Sequence, residues 1–367
     1  MHQFSGTLKV NLSALRRNWR FMRDSFTGQH CGAVVKANAY GLGVAPVTQA
    51  LYREGCRHFF VATFDEALEV KRLIPEKVDI FVLQGCYPGA EQNFIDEEIM
   101  PVISSFAMLE RWIKVSAAGQ RRCALKINTG MNRLGLTVPE FVAALCADSA
   151  LLSRAGVELL VSHLACADEP AHPLNRVQLS RFREAVAEAR LHEPSIRASL
   201  ANSAGILLGE DWHFNVARPG IALYGGCCVP QLRGHLSPVA SLQLPVMQIR
   251  DVRAGESIGY GGDFIAPTDM RIAVVSGGYA DGIFRSFVGG LKGWFHQELL
   301  SVGRISMDSC AFDITHLAPE LSPELGDLVE IIGEHCPLDD QASAAGTISY
   351  ELLTRLGDRF QKVYFEE

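Results

Sequence analysis

The chain has 367 residues, of which 48% are hydrophobic and 20% are charged, and its formal net charge is −7. This length exceeds the usual size of one domain, so two domains are expected. The acidic balance argues against nucleic acid or an anionic membrane as the main partner, because either would require a concentrated basic surface. A small-molecule ligand is therefore predicted.

Ten cysteines are scattered along the chain without any Cys-x-x-Cys spacing. This pattern favours reduced core residues over a disulfide framework. The N-terminal residues contain no apolar signal segment, and no stretch approaches the ~20 apolar residues needed to cross a bilayer. We therefore expect a cytoplasmic protein with no membrane partner.

Short apolar runs alternate with segments of helical period along the first two-thirds of the chain, which is typical of parallel strands joined by helices. Two predicted helix starts, Thr63–Glu66 and Thr137–Glu140, have the residues of a capping box. Eight strands are predicted, with starts near Cys31, His58, Val78, Met100, Arg122, Val157, Ile196 and Val216. Eight strand–helix units fit a (β/α)8 TIM-type barrel, although a strand count alone leaves a doubly wound open sheet as an alternative.

The pattern changes after Gly234, where strand-like runs are separated by Gly-rich turns with little helical period. One late helix is predicted at about Tyr350–Arg359, with Ser349 as its cap. The predicted strands are Leu242–Val252, Arg271–Ser276, Leu299–Ile305, Ala311–Thr315 and Leu328–Ile332. We predict a barrel over residues 1–234 and a mostly β domain over residues 235–367.

Several common catalytic motifs are absent from the sequence. It contains no phosphate-binding Gly-x-x-x-x-Gly-Lys-Ser/Thr loop, no Gly-x-Gly-x-x-Gly, no His-Glu-x-x-His and no Gly-x-Ser-x-Gly. These absences disfavour a nucleotide-binding enzyme, a zinc protease and an esterase. No metal site is expected.

Lys36 ends an apolar run and is followed by a loop of mostly small residues, Ala37–Gly43. One interpretation is a strand-end lysine that reaches solvent. The alternative is functional, because barrels of this class keep their active sites where the strands end. Partial burial there would lower the pKa of a lysine and favour covalent chemistry with a carbonyl group.

The segment VVKANAYGLG around Lys36 resembles the pyridoxal-phosphate lysine motif of the alanine racemase family. The resemblance implies a pyridoxal-phosphate barrel followed by a β domain, which agrees with the division inferred above. It also implies the interconversion of L-alanine and D-alanine. Further segments resemble the family in the family's order: Lys126–Gly135, Ser162–Asp168, Ala201–Ala204, Arg218–Gly225, Ile258–Gly261, Gly278–Gly282, Gly303–Asp308 and Ile348–Glu351.

The resemblance also implies roles for individual residues. Lys36 would bind the cofactor covalently and act as the base on one face of the substrate, with Tyr260 as the base on the other face. A phenol is a weak base near neutral pH, so Tyr260 would need nearby positive charge. In the family this tyrosine comes from the partner subunit, which implies a homodimer with shared active sites.

The remaining implied contacts concern binding. Arg218 would face the pyridine nitrogen and keep it unprotonated, which suits racemisation, and His163 would link Arg218 to Tyr260. Arg133 would bind the substrate carboxylate, while Met307 and Tyr350 would narrow the pocket. The cofactor, and above all its phosphate, would be held by Tyr40, Asn202, Ser203, Gly220, Ile221 and Tyr350.

Two positions depart from the family pattern, because Leu42 stands where histidine is frequent and Asn128 where aspartate is usual. Lys126 is carbamylated in some relatives, and the sequence does not decide its state here. Alternatives to an alanine racemase are a racemase of broader or serine preference and a non-catalytic pyridoxal-phosphate carrier. A barrel-type amino-acid decarboxylase is a further alternative, against which Arg218 argues.

Overall fold

A computed structural model describes residues 6–115, 121–287 and 289–367. The strands are β1 (Thr7–Asn11), β2 (His30–Cys31), β3 (Ala33–Val34), β4 (His58–Val61), β5 (Asp79–Val82), β6 (Met100–Ile103), β7 (Cys123–Asn128), β8 (Leu136–Thr137), β9 (Val157–Val161), β10 (Arg197–Ser199), β11 (Val216–Ala217), β12 (Ala240–Val252), β13 (Ser257–Ile258), β14 (Phe264–Ile265), β15 (Met270–Ser276), β16 (Lys292–Phe295), β17 (Gln297–Val302), β18 (Ser309–Asp313), β19 (Leu328–Ile332) and β20 (Gln361–Phe365).

Helices separate most of the barrel strands. The helical segments are α1 (Leu12–Asp24), α2 (Lys36–Tyr40), α3 (Val44–Arg53), α4 (Phe64–Leu73), α5 (Glu91–Asp96), α6 (Phe106–Lys114), α7 (Val138–Ala147), α8 (Leu151–Ala155), α9 (Pro173–His192), α10 (Ser203–Ile206), α11 (Leu338–Ala344) and α12 (Ser349–Arg355). Of these, α2 is a left-handed turn rather than a right-handed α-helix. Short 3-10 helices lie at Glu210–Trp212, Ile221–Tyr224, Pro230–Leu232, Tyr260–Gly262, Tyr279–Asp281 and Pro319–Leu321. Among the described residues, no helix combines the length and apolar character needed to cross a membrane.

The parallel strands close into a ring in the order β2/β3, β4, β5, β6, β7, β9, β10 and β11. Backbone amides of Asn215 and Arg218 join β11 to β10, donating to Ala198 and Ala201 carbonyls at 2.9 Å each. The ring then closes through the parallel pair of β11 and β2. Each strand begins within one residue of its predicted start. The barrel prediction is therefore confirmed, and the open doubly wound sheet is excluded.

Both predicted capping boxes are also present. Thr63 accepts from the Glu66 amide at 3.3 Å, and Thr137 accepts from the Glu140 amide at 3.4 Å. In each box the glutamate side chain binds the amide of the threonine. This arrangement satisfies amides that have no partner within the helix. All ten cysteines are free in the structure.

The second domain is an antiparallel barrel made by β15, β18, β17, β16, β19 and β12, closed by the pairing of β12 with β15. The predicted strands of this region all correspond to observed ones. One segment departs from the expected division: β1, assigned from the sequence to the first domain, pairs with β12 and β20 of the second. The boundary at residue 234 itself stays a prediction.

The late helix differs from its prediction in both extent and cap. It spans Ser349–Arg355, and Ile348 occupies the cap position without a side-chain hydrogen bond. The Ser349 hydroxyl instead donates to the Asp339 carboxylate. Because this hydroxyl is held by another element, it does not cap the helix amides, so the predicted cap is wrong.

Polar side chains meet at the N-terminal end of the barrel, each at or next to the start of a strand. The His58 and His30 rings stack at 4.4 Å, and His58 Nε2 lies 3.4 Å from the Asp79 carboxylate. Burial lowers the pKa of His58 to about 4; the Asp79 carboxylate opposes this shift, and the charges of Arg197 and Arg122 add to it. The cluster comprises His30, His58, Asp79, Arg122, Glu158 and Arg197.

This cluster predicts a pH dependence of stability. The folded-state pKa of His58 lies below the usual unfolded value of about 6.5, so the unfolded chain binds the extra proton more readily. The contribution of neutral His58 is full above about pH 6.5 and is lost as the pH falls toward 4, with a loss on the order of 1–3 kcal/mol. The free energy of unfolding, measured with urea at several pH values across this range, should fall less steeply with pH in His58→Gln than in the exposed control His316→Gln. Equal slopes would contradict the assignment.

Candidate active site

Lys36 follows β3 after one intervening residue, Val35, at the C-terminal end of a buried barrel strand. Its neighbour Val35 is fixed to the barrel because its amide donates to the Phe60 carbonyl at 2.9 Å. Burial lowers the pKa of Lys36, the positive charge of Arg133 lowers it further, and the Glu66 carboxylate opposes both. The structure therefore gives this lysine the partly desolvated position predicted from the sequence.

The turn that follows Lys36 is left-handed over four consecutive residues that are not glycine. Ala37, Asn38, Ala39 and Tyr40 have φ values of 53°, 53°, 52° and 56°. Such a conformation costs about 1–2 kcal/mol per residue, so it persists only where the surroundings enforce it. Strain of this kind is concentrated at functional sites.

A cavity of about 470 Å³ opens beside Lys36 at the C-terminal ends of the barrel strands. Every predicted site residue except Tyr260 and Met307 lines it. The predicted residues in its wall are Lys36, Tyr40, Arg133, His163, Asn202, Ser203, Arg218, Gly220, Ile221 and Tyr350. Residues from widely separated segments thus converge at one place.

Hydroxyl groups and small residues form one side of this cavity. Ser203 Oγ accepts from the Gly220 amide at 2.9 Å and the Ala222 amide at 3.4 Å, so its own hydrogen is left to donate elsewhere. A Cβ atom on Gly220 would lie 2.4 Å from the Tyr40 hydroxyl oxygen. Burial raises the pKa of Tyr40 and of Tyr350, so both phenols remain protonated donors. This set suits a phosphate group.

Arg218 is buried in the cavity wall and is held by several acceptors. Its Nη2 donates to the Ser162 carbonyl at 2.6 Å and contacts His163 Nδ1 at 3.4 Å, while its Nη1 donates to Ser199 Oγ. Burial lowers the pKa of Arg218 to about 10, which still leaves the guanidinium charged at neutral pH. Burial, followed by the charge of Arg218, lowers the pKa of His163, so this imidazole is neutral.

Positive charge dominates the cavity. Lys36, Lys126, Arg133 and Arg218 all line it, and no carboxylate does so in the described part of the chain. Burial lowers the pKa of Lys126 to about 8, with further lowering by Arg218, Arg133 and Lys36. A cavity with this charge is complementary to anions such as a phosphate and a substrate carboxylate.

Tyr260 and Met307 lie outside the cavity in the second domain. Their exposed fractions are 68% and 52%, which are large values for such side chains. Two contacts were predicted, Arg218 with His163 and His163 with Tyr260. Within the described residues of one chain, the first of them is present and the second is not. These two residues are available to another molecule.

The two departures from the family pattern have different surroundings. Leu42 is completely buried in the core. Asn128 Oδ1 accepts from the Gly130 and Asn132 amides at 3.1 and 3.0 Å, and so shapes the turn before Arg133. The position therefore organises backbone without needing a charge.

Sequence reasoning missed two residues that support the site. Ser199 binds Arg218, and Tyr224 stacks on Tyr40 with ring centres 4.5 Å apart while donating to the Val34 carbonyl at 2.8 Å. Ser199 ends β10, whose sequence Arg-Ala-Ser gives no distinct signal for this contact. Tyr224 lies in the family-like segment Arg218–Gly225, but no local sequence pattern indicates its contact with Tyr40.

Known proteins share both the sequence pattern and this geometry. The family model "Alanine racemase, N-terminal domain" matches residues 10–227, and "Alanine racemase, C-terminal domain" matches residues 239–364. The alanine racemase of Rhizobium meliloti is 42% identical, over 98% of this chain and 97% of that protein. The chain belongs to the alanine racemase family.

Solved structures agree with this membership. An alanine racemase from Bartonella henselae, described with covalently bound pyridoxal phosphate, has a TM-score of 0.93 and 35% identity, covering 98% of this chain and 99% of that one. A biosynthetic alanine racemase from Pseudomonas aeruginosa has a TM-score of 0.89 and 36% identity over the same shares. The predicted fold, racemase class and pyridoxal-phosphate dependence are confirmed at the level of the family.

The contact between Gly220 and Tyr40 gives a direct test of the cavity. Gly220→Ala should displace the Tyr40 hydroxyl, because the added Cβ would lie 2.4 Å from it. Overpacking of this kind costs about 1–3 kcal/mol, so affinity for pyridoxal phosphate should fall about five- to 150-fold. Cofactor titration followed by absorbance measures this, with Gly290→Ala as control, since a Cβ there makes only ordinary contacts. Unchanged affinity would show that the cofactor does not depend on this contact.

Proposed function

We propose that this protein interconverts L-alanine and D-alanine, with Lys36 and Tyr260 as the two bases. The observation that carries the proposal is the convergence of Lys36 and the other predicted binding residues on one cationic cavity. Tyr260 and Met307 lie exposed in the second domain. A planar substrate carbanion needs proton donors on opposite faces, and two side chains from different domains can approach it in that way.

The cavity fits pyridoxal phosphate in the hydrogen-bond donors that it presents. Lys36 would bind the aldehyde, while Tyr40, Ser203 and Tyr350 would donate to the phosphate, assisted by the backbone at Gly220 and Ile221. Asn202 shapes this wall, because its Oδ1 caps α10 through the Gly205 amide at 2.8 Å. When bound, the cofactor supplies an electron sink for the α-carbon.

Arg218 would donate a hydrogen bond to the pyridine nitrogen and so keep it unprotonated. Its contacts with Ser199 and Ser162 hold the guanidinium in place. No acid lines the cavity in the described residues, so a neighbouring arginine, rather than a carboxylate, would set the protonation of that nitrogen. This disfavours a decarboxylase, which typically has an acid at that position, and favours return of the proton to the α-carbon.

Arg133 is suited to the substrate carboxylate, because its guanidinium forms a bidentate fork and lines the same cavity as Lys36. Tyr260 and Met307 would complete the site from a second copy of the chain, giving a homodimer with two shared sites. Met307 and Tyr350 would then restrict the space for the substrate side chain. Racemisation rates on a panel of amino acids distinguish alanine from serine or broader preference.

The cellular role is proposed on the chemistry alone. We place the protein in the cytoplasm and its D-alanine product in cell-wall precursor synthesis. A relative from Mesorhizobium japonicum is named as catabolic, at 43% identity over 97% of this chain and 92% of that protein, and the Pseudomonas aeruginosa structure is named as biosynthetic. A D-alanine requirement in a strain lacking this protein would support the biosynthetic role, and its absence would favour the catabolic one.

The attachment site predicts the behaviour of Lys36→Ala. This variant should lose racemisation and covalent attachment of pyridoxal phosphate, because the nucleophilic amine is removed. Borohydride reduction followed by peptide mass spectrometry measures the attachment. Lys126→Ala is the matched control, since Lys126 lines the same cavity but should leave the adduct on Lys36. An adduct that persists in Lys36→Ala would identify another lysine and refute the assignment.

The exposed position of Tyr260 predicts complementation between two inactive variants. Lys36→Ala and Tyr260→Phe should each be nearly inactive, but a mixed dimer would contain one site with both residues intact. With free exchange of subunits, half of the dimers are mixed, so about a quarter of all sites should regain the wild-type composition. Activity measured after mixing should therefore rise.

Subunit exchange must be verified for this result to be interpreted. Native mass spectrometry of the mixture reports the fraction of mixed dimers directly. If mixed dimers form and activity stays at the level of the separate variants, Lys36 and Tyr260 do not serve one site across an interface.

A further inference from the structure

Glu66 makes a contact that its role in the helix cap does not explain. Its Oε2 accepts from the Ala62 and Thr63 amides at 2.7 and 3.3 Å, at the start of α4. Its Oε1 accepts from the Ala37 amide at 2.8 Å. Ala37 follows Lys36 in the chain, so a single carboxylate joins the start of α4 to the turn that carries the lysine.

The second capping box provides an internal comparison. Glu140 Oε2 accepts from the Thr137 amide at 2.9 Å and from its hydroxyl at 2.7 Å. These bonds all remain at the start of α7. Capping therefore explains the hydrogen bonds that Oε2 of Glu66 accepts. It does not explain the bond that Oε1 accepts from the Ala37 amide, next to Lys36.

The turn after Lys36 needs external restraint because it is strained. Ala37 begins the left-handed run, with φ of 53° and ψ of 52°, a conformation that only glycine adopts readily. Within the run, the next residue, Asn38, is also restrained, because its Oδ1 accepts from the Val44 amide at 2.7 Å. Glu66 is the side chain that binds the first amide of the run, and its negative charge also opposes the loss of the proton from Lys36.

We infer that Glu66 is a positioning residue for the reaction: its carboxylate fixes the backbone next to Lys36 and thereby directs the lysine amine into the cavity. This inference rests on the proposed role of Lys36. It assigns no chemical step to Glu66, which does not line the cavity. This role requires a side chain that accepts hydrogen bonds from the start of α4 and from the Ala37 amide at the same time.

Glu66→Gln tests the inference in the holoenzyme. Glutamine has one acceptor oxygen, so it cannot serve both sets of amides. We expect kcat for alanine to fall at least about tenfold, as for loss of a hydrogen bond to a charged group, with little change in KM because Arg133 is untouched. The pyridoxal phosphate concentration that half-saturates the absorbance of the bound cofactor should rise several-fold.

Two controls separate positioning from helix capping. Thr63→Ala removes the hydroxyl half of the same box and leaves the carboxylate, so it should lose unfolding free energy while keeping kcat and cofactor affinity. Glu140→Gln makes the same substitution in the box on α7, where glutamine can still cap, so it should keep stability, kcat and cofactor affinity. If the Gln variant does not fold, Glu66→Asp preserves the charge and a cap acceptor but is one methylene too short to reach both elements.

The inference is overturned if the Glu66 variant keeps wild-type kcat, or if kcat and cofactor affinity fall equally in Thr63→Ala. Failure of the proposed function looks different. If Lys36→Ala still carries the covalent cofactor, the role of Lys36 is refuted whatever Glu66 does. If Lys36 is the attachment site and Glu66→Gln resembles Thr63→Ala, the positioning role alone is refuted.

Discussion

The burial of two positive charges, Arg218 and Lys126, beside one cavity is the constraint on which the rest of the site depends. Arg218 is nearly inaccessible, and an unpaired charge in such a place would be costly. It is tolerated because carbonyl groups at the ends of the barrel strands, together with the Ser199 hydroxyl, accept its hydrogen bonds. The barrel supplies these acceptors because its strand ends leave carbonyls facing its mouth.

This charge distribution also explains why one cavity can serve two ligands. Lys36 and Lys126 have lowered pKa values, so each exchanges a proton more readily than an exposed lysine. Arg218 remains a fixed cation, and burial together with the charge of Arg218 keeps His163 neutral. A site of this type attracts an anionic cofactor and an anionic substrate.

Much of the architecture could be predicted because it is encoded locally. The strand starts followed from apolar runs, and the two capping boxes followed from residues three positions apart. Closure of the barrel could not be predicted, because it depends on β11 reaching β2 across most of the domain. The pairing of β1 with β20 is equally distant in sequence, and no local pattern indicates it.

The site shows the same limit. Resemblance identified the residues, and the structure places most of them around one cavity. The bond from Glu66 to Ala37 spans 29 positions, so reading the capping box correctly still missed the second use of its carboxylate. The late helix was misjudged for a related reason, since Ser349 is held by Asp339 from another helix.

The path of the chain between the domains bears on how a shared site could be kept in register. The first described strand, β1, belongs to the second domain, after which the chain enters the barrel at Asn11 and returns before Ala240. These two crossings are joined directly, because the Asn11 amide donates to the Val239 carbonyl at 2.9 Å. Asn11 also caps α1, with its Oδ1 accepting from the Ala14 amide at 2.8 Å.

A single connection would leave the domains free to rotate about it, whereas two adjacent crossings restrict that rotation. The restriction matters for the proposed shared site, because the cavity lies mostly in the barrel while Tyr260 and Met307 lie in the second domain. In a symmetric pair, each cavity would be completed by the opposite chain, so an error in the angle between domains would displace the base from the substrate. A displacement of a catalytic group by even about 1 Å strongly lowers the rate of the reaction. The position of β1 in the second domain therefore has a structural consequence. It gives the junction between the domains two adjacent chain crossings instead of one.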